Sequence, residues 1–295
     1  MSLLSRILSI TLGLGLLLGL TGTMQAATDY HPIAAAMGAN GSIFLLTTEQ
    51  TVLAVNLNQT SGAIVGHFTF ALNGNPSDMA YGQVGAQEML FIGSTSVFRG
   101  QVHGVVSAFT TDGHPIRSWN FFGHVVGGLT FDTANQTVYV AAEDSAEVYS
   151  ISPQSSSAPR FVGGLALGAK LGSMAMDIPH QELYISDQAH GDLFSMNLAT
   201  RKVRTVGQVG APQALLMEMN GTLLIVADSA RGQIVSLNIA GQPSAPHPLT
   251  PRRAFRAPAG LVWGEASQLI VADQTTGTVT LLSPTGAVIN SLHLH

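Results

Sequence analysis

Cysteine is absent from all 295 residues of the chain. Disulfide bonds, lipid attachment through cysteine and cysteine-linked redox cofactors are therefore excluded. Charge is also scarce, since Asp, Glu, Lys and Arg make up 10% of the residues, whereas 46% are hydrophobic and 32 residues are glycine. This composition argues against disorder and favours a closed all-β domain with tight turns. The net charge of −5 argues against nucleic acid as a partner.

Local catalytic motifs are missing as well. The sequence has neither a Gly-x-Ser-x-Gly elbow nor a P-loop, and its ten histidines are scattered without close ligand spacing. Loops that are distant in sequence can still assemble a catalytic triad, so missing motifs are weak evidence against an enzyme.

The first 27 residues have the form of a secretory signal peptide. A short basic start, Met1–Arg6, precedes an apolar core from Ile7 to Leu20, which is 14 residues long. A membrane-spanning helix needs about 20 residues, so this core is short for a span. We expect cleavage near Ala26 or Ala27 and a periplasmic or secreted protein with no membrane span after signal removal. The alternative is an uncleaved N-terminal anchor.

A unit of short β-strands recurs along the rest of the chain. Its clearest copy is Gly172–Asn197, where runs rich in Ile, Tyr and Phe are bounded by Gly, Pro and Asp. The first apolar residue of the third strand marks four clear copies, 45, 41 and 45 residues apart, at Val148, Leu193, Ile234 and Val279. Two weaker copies have this position near Val52 and Val106.

A period of 40–45 residues with four strands per unit is typical of a propeller blade. Packing blades face to face around an axis buries both faces of each sheet. The sequence therefore predicts an all-β fold, a six-bladed β-propeller of four-stranded antiparallel blades, over residues 28–295. The predicted blades are approximately 28–71, 72–123, 124–167, 168–209, 210–256 and 257–295, with little strand exchange where the ring closes. A β-sandwich and an open β-solenoid are the alternatives.

The repeat resembles the NHL repeat and is similar to YWTD and YVTN propeller repeats. The residues that carry the resemblance are Leu183–Asp187, Ile225–Asp228 and Ile270–Asp273. It is strong from about residue 125 onward and weak before that. The resemblance implies the fold and a ligand face near the axis, but no activity, because such propellers serve as enzymes, receptors and scaffolds.

Two stretches depart from the repeat. Gly93–His103 of the second blade adds six residues between strands two and three, and we predict a long loop there. Ser244–Pro258 of the fifth blade contains four prolines, which disfavour a central strand.

Loops between strands two and three and connections between blades share one face of a propeller. On this face we place the candidate binding residues Phe98, Arg99, His103, Phe122, His124, His190, Arg231, Arg252, Arg253 and Arg256. Arginines 252, 253 and 256, with Arg99 across the ring, could bind an anion because guanidinium pairs two carboxylate or phosphate oxygens. Alternatively they form a solvated loop whose charge is balanced by Asp187, Asp228 and Asp273, which we predict to cap turns.

Metal binding is the next hypothesis. Some propeller lyases and lactonases hold a divalent ion on the axis, which implies ligands at the start of the inner strands. Here Asp78, His124 and Gln213 offer such ligands, and His103 and His190 could complete a set only if their loops reach inward. Catalytic zinc needs three protein ligands and an open position, so this chain departs from the family pattern.

These observations favour a monomeric, non-catalytic binding module that needs no cofactor. Its partner would be an envelope or extracellular protein, a peptide or a glycan, bound on the loop face around the axis through aromatic and arginine side chains. The alternative is a metal-dependent lyase or hydrolase, similar to a lactonase, with an axial active site. A third hypothesis is a spacer subunit in an envelope assembly.

Overall fold

The computed structural model describes residues 29–39, 41–57, 63–70, 74–165, 167–218, 220–241 and 244–295. The predicted signal peptide, residues 1–27, lies outside these residues. Tyr30–Leu294 forms one compact unit, and Asp29 and His295 belong to a separate one. Within the described residues, no helix is long and apolar enough to cross a membrane.

Twenty-four strands are described, and they form six antiparallel sheets of four strands each. Every sheet uses four consecutive strands, so the predicted six four-stranded blades are confirmed. Blades one to three contain β1 (Pro32–Met37), β2 (Ile43–Thr47), β3 (Thr51–Asn56), β4 (Ala63–Thr69), β5 (Asn75–Val84), β6 (Gln87–Phe98), β7 (Gln101–Thr110), β8 (Pro115–Phe122), β9 (Val126–Asp132), β10 (Thr137–Ala142), β11 (Glu147–Ile151) and β12 (Arg160–Gly164). Blades four to six contain β13 (Leu171–Asp177), β14 (Glu182–Asp187), β15 (Asp192–Asn197), β16 (Val203–Gln208), β17 (Pro212–Met217), β18 (Leu223–Asp228), β19 (Gln233–Asn238), β20 (His247–Pro248), β21 (Pro258–Trp263), β22 (Leu269–Asp273), β23 (Thr278–Leu282) and β24 (Val288–His293).

The burial of each strand follows from its place in a blade. Second strands are covered on both faces, so β2 and β22 are buried at every residue and their sequences are almost continuously apolar. The outer strand β24 has no buried residue. The alternation of apolar and polar residues is therefore weakest where the blade is most deeply packed.

Among the described residues, six hydrophobic clusters hold the ring together, one between each pair of neighbouring blades. The cluster that closes the ring joins Leu45 and Leu53 of blade one to Val262, Ile270 and Val279 of blade six. Because β1–β4 form a complete sheet, the first blade borrows no strand from the last, as the sequence predicted.

A β-bulge interrupts the inner part of every blade. In five blades the register of the inner strand shifts near its start, and blade three shifts between Val140 and Ala142. The bulge of blade three contains Gly127 and Gly128, where a side chain would not fit. A Cβ atom there would lie 2.2 Å from the Leu171 oxygen and 2.0 Å from the Gly172 oxygen. Bulges turn extra residues away from the regular pleat, here towards the axis.

The repeated aspartates after the second strands cap turns, which confirms the structural role predicted for Asp187, Asp228 and Asp273. Each carboxylate accepts a backbone N–H from its own turn and another from the residue that precedes the inner strand of its blade. One side chain thus joins two separate segments of the loop face. This double contact ends the second strand at the aspartate.

The predicted long loop Gly93–His103 is wrong. Strand β6 continues to Phe98 and β7 begins at Gln101, so the stretch is a β-hairpin with a two-residue turn. Arg99 and Gly100 have φ angles of 51° and 77°, the left-handed conformations of a type I′ turn.

The reason lies at Ser94, which pairs with Pro76 as Asp228 pairs with Pro212. Blade two therefore has serine where blade five has the turn-capping aspartate. Without that cap, the β-favouring residues Thr95–Phe98 continue the strand. The second irregular stretch keeps only the two-residue edge strand β20, in line with its prolines.

Candidate functional site

The hairpin of blade two presents aromatic side chains on one face. His103 pairs directly with Ser96 on one side and with Phe122 on the other, and Phe98 lies two residues beyond Ser96 on the same face. The His103 and Phe122 rings stack, with centroids 4.8 Å apart and planes 9° apart. We call Phe98, His103 and Phe122 the aromatic platform.

The platform is open to solvent and has a cation at its edge. Phe98 is 67% exposed and Phe122 is 74% exposed. The Arg99 guanidinium lies 5.2 Å from the centre of the Phe98 ring, within cation–π distance. Four of the predicted binding residues therefore lie together in one patch on the loop face.

His124 belongs to a different group, in blade three. Its Nε2 lies 3.3 Å from the hydroxyl of Tyr149, which donates to Glu147 at 2.8 Å. Its Nδ1 is 3.8 Å from Asp144, too far for a hydrogen bond. Burial, together with the hydrogen bond to Glu147, raises the pKa of Tyr149 to about 12. Tyr149 is therefore a neutral donor at physiological pH, which suits a structural contact.

His190 and Arg231 are held by the turn-capping aspartates. His190 Nδ1 lies 2.6 Å from Asp187, and Arg231 Nη1 lies 2.7 Å from Asp228. Burial acts to raise the pKa of Asp228, but hydrogen bonds from Arg231 and from two backbone N–H groups outweigh it and hold the pKa below its usual value. Both predicted binding residues thus already have a carboxylate partner.

Arg252, Arg253 and Arg256 lie at the junction of blades five and six, and we call them the arginine corner. All three are exposed. Arg99 is in blade two, on the opposite side of a six-bladed ring, where it covers Phe98. The arginines predicted to share one anion therefore belong to separate surfaces.

A small polar pocket lies on the axis, where bulge residues of the inner strands meet residues that follow the second strands. Its volume is about 220 Å³, and it is lined by Ile33, Pro76, Ser77, Asp78, Gly127, Glu143, Gly172, Ser173, Gln188, Gln213, Ala259 and Gln274. The side-chain amides of Gln188, Gln213 and Gln274 make no hydrogen bond within the described chain. They are available to a polar group that enters from the loop face.

Two other polar side chains in this pocket join neighbouring blades. Asp78 accepts the backbone N–H of Met79 at 2.8 Å and that of Leu129, in the next blade, at 2.7 Å. Ser173 likewise accepts the N–H of Leu215 at 3.0 Å. Burial raises the pKa of Asp78 to about 7, although both N–H groups oppose the shift. Asp78 and Ser173 therefore each link the inner strands of two neighbouring blades.

The proposed metal ligands do not form a three-ligand site. Asp78 and Gln213 both line the axial pocket, but His124 does not line it and contacts Tyr149 instead. Among the described residues of Tyr30–Leu294, no three His, Asp or Glu side chains place ligand atoms within 4.8 Å of one another. The residues present therefore do not fit a catalytic zinc centre.

Most of the residues that line the axial pocket were not predicted from the sequence. Ser77 and Ser173 reach the axis through bulges, which no motif marks. Gln188 and Gln274 each follow a repeated aspartate directly, so aligning the repeats on those aspartates would have found them. The polar residue at that position was the signal available in the sequence.

The sequence matches no protein-family model and no curated protein. Solved structures are similar in fold. A chain of the nidogen–laminin complex is 14% identical, with a TM-score of 0.67 over 83% of this chain and 91% of that one. Catalytically inactive virginiamycin B lyase from Staphylococcus aureus with quinupristin is 8% identical, with a TM-score of 0.63 over 90% and 85%. A streptogramin B lyase structure is 8% identical, with a TM-score of 0.61 over 92% and 85%.

These similarities define the class of the fold. In fold, the protein is a six-bladed β-propeller, similar to those in the nidogen–laminin complex and in virginiamycin B lyase. The similar structures include a nidogen–laminin complex and also a lyase. The fold by itself therefore does not choose between binding and catalysis.

Proposed function

We propose that the protein is a non-catalytic binding module whose aromatic platform engages a protein or peptide partner. The observation that carries the proposal is the pair of exposed aromatic side chains, Phe98 and Phe122, on one face of a projecting hairpin. The hairpin extends four residues beyond Ser94, where other blades turn, which is about 13 Å of extended chain.

The composition of the platform is that of an interface anchor. Aromatic and arginine side chains dominate the energetics of protein–protein contacts, and Phe98, Phe122 and Arg99 supply both kinds. A glycan site would surround the stacking ring with hydrogen-bonding amides and carboxylates, but the free amides lie in the axial pocket instead. The surface therefore favours a protein or peptide over a glycan.

The axial lyase or hydrolase is the alternative, and Asp78 is the observation that favours it. A carboxyl group with a pKa of about 7 suits acid–base catalysis. Its structural contacts weigh against this, because one carboxylate oxygen accepts the backbone N–H of Met79 and the other accepts that of Leu129.

We place this function outside the cytoplasm, on the strength of the signal-like residues 1–27. Mass spectrometry of the purified protein tests this, because cleavage near Ala26 or Ala27 would leave a chain that starts at residue 27 or 28. A mass that retains Met1–Arg6 would contradict cleavage and favour the anchor.

Peptide selection tests the binding proposal. Immobilised wild-type protein is panned with a peptide library after counter-selection on the Phe98→Ser, Phe122→Ser variant, and affinities are measured by calorimetry. We expect enriched peptides to bind the wild type at least 100-fold more tightly than the variant, because two interface anchors are lost.

Phe161→Ser is the matched control, since Phe161 is 50% exposed but lies on the outer strand of blade three. It should bind the same peptides as the wild type does. Equal binding by all three proteins, or no enrichment at all, would contradict the proposal. A glycan array in parallel would detect the other class of ligand.

A further inference from the structure

A cavity opens on the side of the ring between blades five and six. The fourth strand of blade five, β20, has two residues, whereas β16 and β24 have six each. Part of the face of blade six is therefore left to the segment 249–256, and a groove of about 710 Å³ remains between them. We call it the side groove; its lining includes Thr250, Phe255, Thr278, Thr280, Leu282 and Val288.

One wall of the side groove consists of threonines whose hydroxyl groups are already paired. Thr276 and Thr278 pair at 2.7 Å, and Thr280 pairs with Ser291 at 3.3 Å. The Thr250 hydroxyl oxygen accepts the backbone N–H of Ile234 at 2.9 Å. The accessible lining of the side groove is mainly apolar, in keeping with threonine oxygens that already have partners within the protein. Val288, which is 66% exposed, contributes to this surface, and the surface suits hydrocarbon.

The arginine corner lies at the end of the side groove that reaches the loop face. Arg253 and Arg256 line the groove, and no carboxylate in the described chain forms an ion pair with either. Asp273 also lines it, but its oxygens accept four backbone N–H groups. The backbone is fixed here as well, because Arg253 donates its N–H to the Arg231 oxygen at 2.9 Å. The groove therefore combines an apolar wall with two available guanidinium groups.

We propose that the side groove binds an amphiphilic anion, with its hydrocarbon chain along β23 and its carboxylate or phosphate on Arg253 and Arg256. Guanidinium groups suit either head group. From Thr276 to Leu282 the strand direction covers six residue steps, about 20 Å. The volume falls within the range of small-molecule sites.

An extended peptide is the competing occupant, and hydrogen bonding decides against it. Strand β23 is paired on both edges, with β22 and with β24, so it has no free edge to offer. A peptide in the groove would bury backbone N–H and C=O groups without partners, which costs free energy for each group. A hydrocarbon chain carries no such groups.

Calorimetry on delipidated protein, purified after expression of the full chain, tests the site. The probes are dodecanoate, dodecyl phosphate, dodecanol and acetate, each below the concentration at which it aggregates. We expect one dodecanoate or dodecyl phosphate per protein, at least tenfold weaker binding of dodecanol, and no binding of acetate. Comparison of the two anions shows which head group is preferred.

The variant Arg253→Gln, Arg256→Gln should bind dodecanoate at least tenfold more weakly and dodecanol as the wild type does. Arg252→Gln is the matched control, because Arg252 is in the same segment but does not line the groove. Thr280→Phe, which fills the apolar end, should abolish binding of both. An Arg253→Gln, Arg256→Gln protein that binds dodecanoate like the wild type, or a wild type that binds none, would overturn the proposal. The aromatic platform is not involved, so its own test is independent.

Discussion

Blades two and five differ at one equivalent position, and the difference shows how a repeat acquires a surface. In blade five Asp228 joins its own turn to the preceding connection, and strand β18 ends there. In blade two Ser94 takes that position, its hydroxyl has no hydrogen-bond partner among the described residues, and β6 continues for four more residues. Losing one carboxylate therefore coincides with gaining a hairpin.

The two blades also depart from the repeat in opposite directions at their outer strands. Blade two has an eight-residue outer strand, β8, which carries Phe122 of the platform. Blade five has the two-residue β20, which leaves the side groove open. Both blades keep the same packing between neighbours, since each contributes to two of the six clusters. The repeated core supports the ring, and the departures from it create the candidate binding surfaces.

Shortening the hairpin should have the largest effect on peptide binding. Replacing residues 96–103 by Asn-Gly joins Thr95 to Gly104 through a two-residue turn and removes Phe98 and His103. We expect at least a 100-fold loss of affinity for the selected peptides, measured by calorimetry, with a melting temperature close to that of the wild type. Val97→Ser, on the other face of the hairpin, should keep the affinity. Unchanged binding after shortening would mean that the hairpin is not the site.

Asp228→Ser gives blade five the residue of blade two. Asp228 is 0% exposed and bonds Arg231 and backbone N–H groups, so the exchange should lower the free energy of unfolding by about 2 kcal/mol. Chemical denaturation measures this. Asp112→Ser, at an exposed turn of blade two, is the control and should leave the midpoint unchanged. If Asp228→Ser were as stable as Asp112→Ser, the capping role would be refuted.

The effect of Asp228→Ser should depend on pH. The pKa of Asp228 is held below its usual 3.8, so the carboxylate stabilises the fold above that value and the contribution is lost as pH falls through the folded-state pKa. Denaturation curves should therefore differ most between wild type and variant at neutral pH. The difference should narrow below about pH 4. A difference that stays constant down to pH 2 would argue against ionic capping.

Alanine substitution at the turn glycines of blades two and five should have the smallest effects on stability. Gly100 has φ +77° and open space around its added Cβ, so Gly100→Ala should cost only the left-handed strain, about 1 kcal/mol. Gly232 has φ +59°, and its Cβ would lie 2.2 Å from the Phe255 oxygen, so Gly232→Ala should cost more. Thermal unfolding measures both variants, with Gly66→Ala as a control whose added Cβ has room. Equal costs for Gly100 and Gly232 would contradict the close packing of blade five.

The fold was predictable because its signal is repeated. Short apolar strands, such as Leu183–Asp187, recur in four clear copies and two weaker ones, so six copies agree on one architecture. The hairpin was missed because the prediction assumed that extra residues between strands form a loop. Thr95–Phe98 favour extended structure, and without the cap nothing ends the strand.

The candidate site was predictable only in part. Phe98, His103 and Phe122 were placed on the correct face by the order of the strands, but their common patch depends on pairing register, which was not assigned. The four predicted arginines do not form a single anion site, because Arg99 and the arginine corner lie on opposite sides of the ring. The side groove exists because the short strand β20 leaves part of the face of blade six uncovered. The uncovered area depends on how the blades pack, so the groove could not be predicted from the sequence.

Amide hydrogen exchange with and without a selected peptide tests the central claim most directly, because it locates the bound partner on the ring. If the platform is the site, the peptide should slow exchange in Thr95–His103 and near Phe122, and exchange at the axial bulges should not change. Protection confined to the axial residues Ser77, Ser173 and Gln213, with the hairpin unaffected, would contradict binding at the platform and favour the axial site.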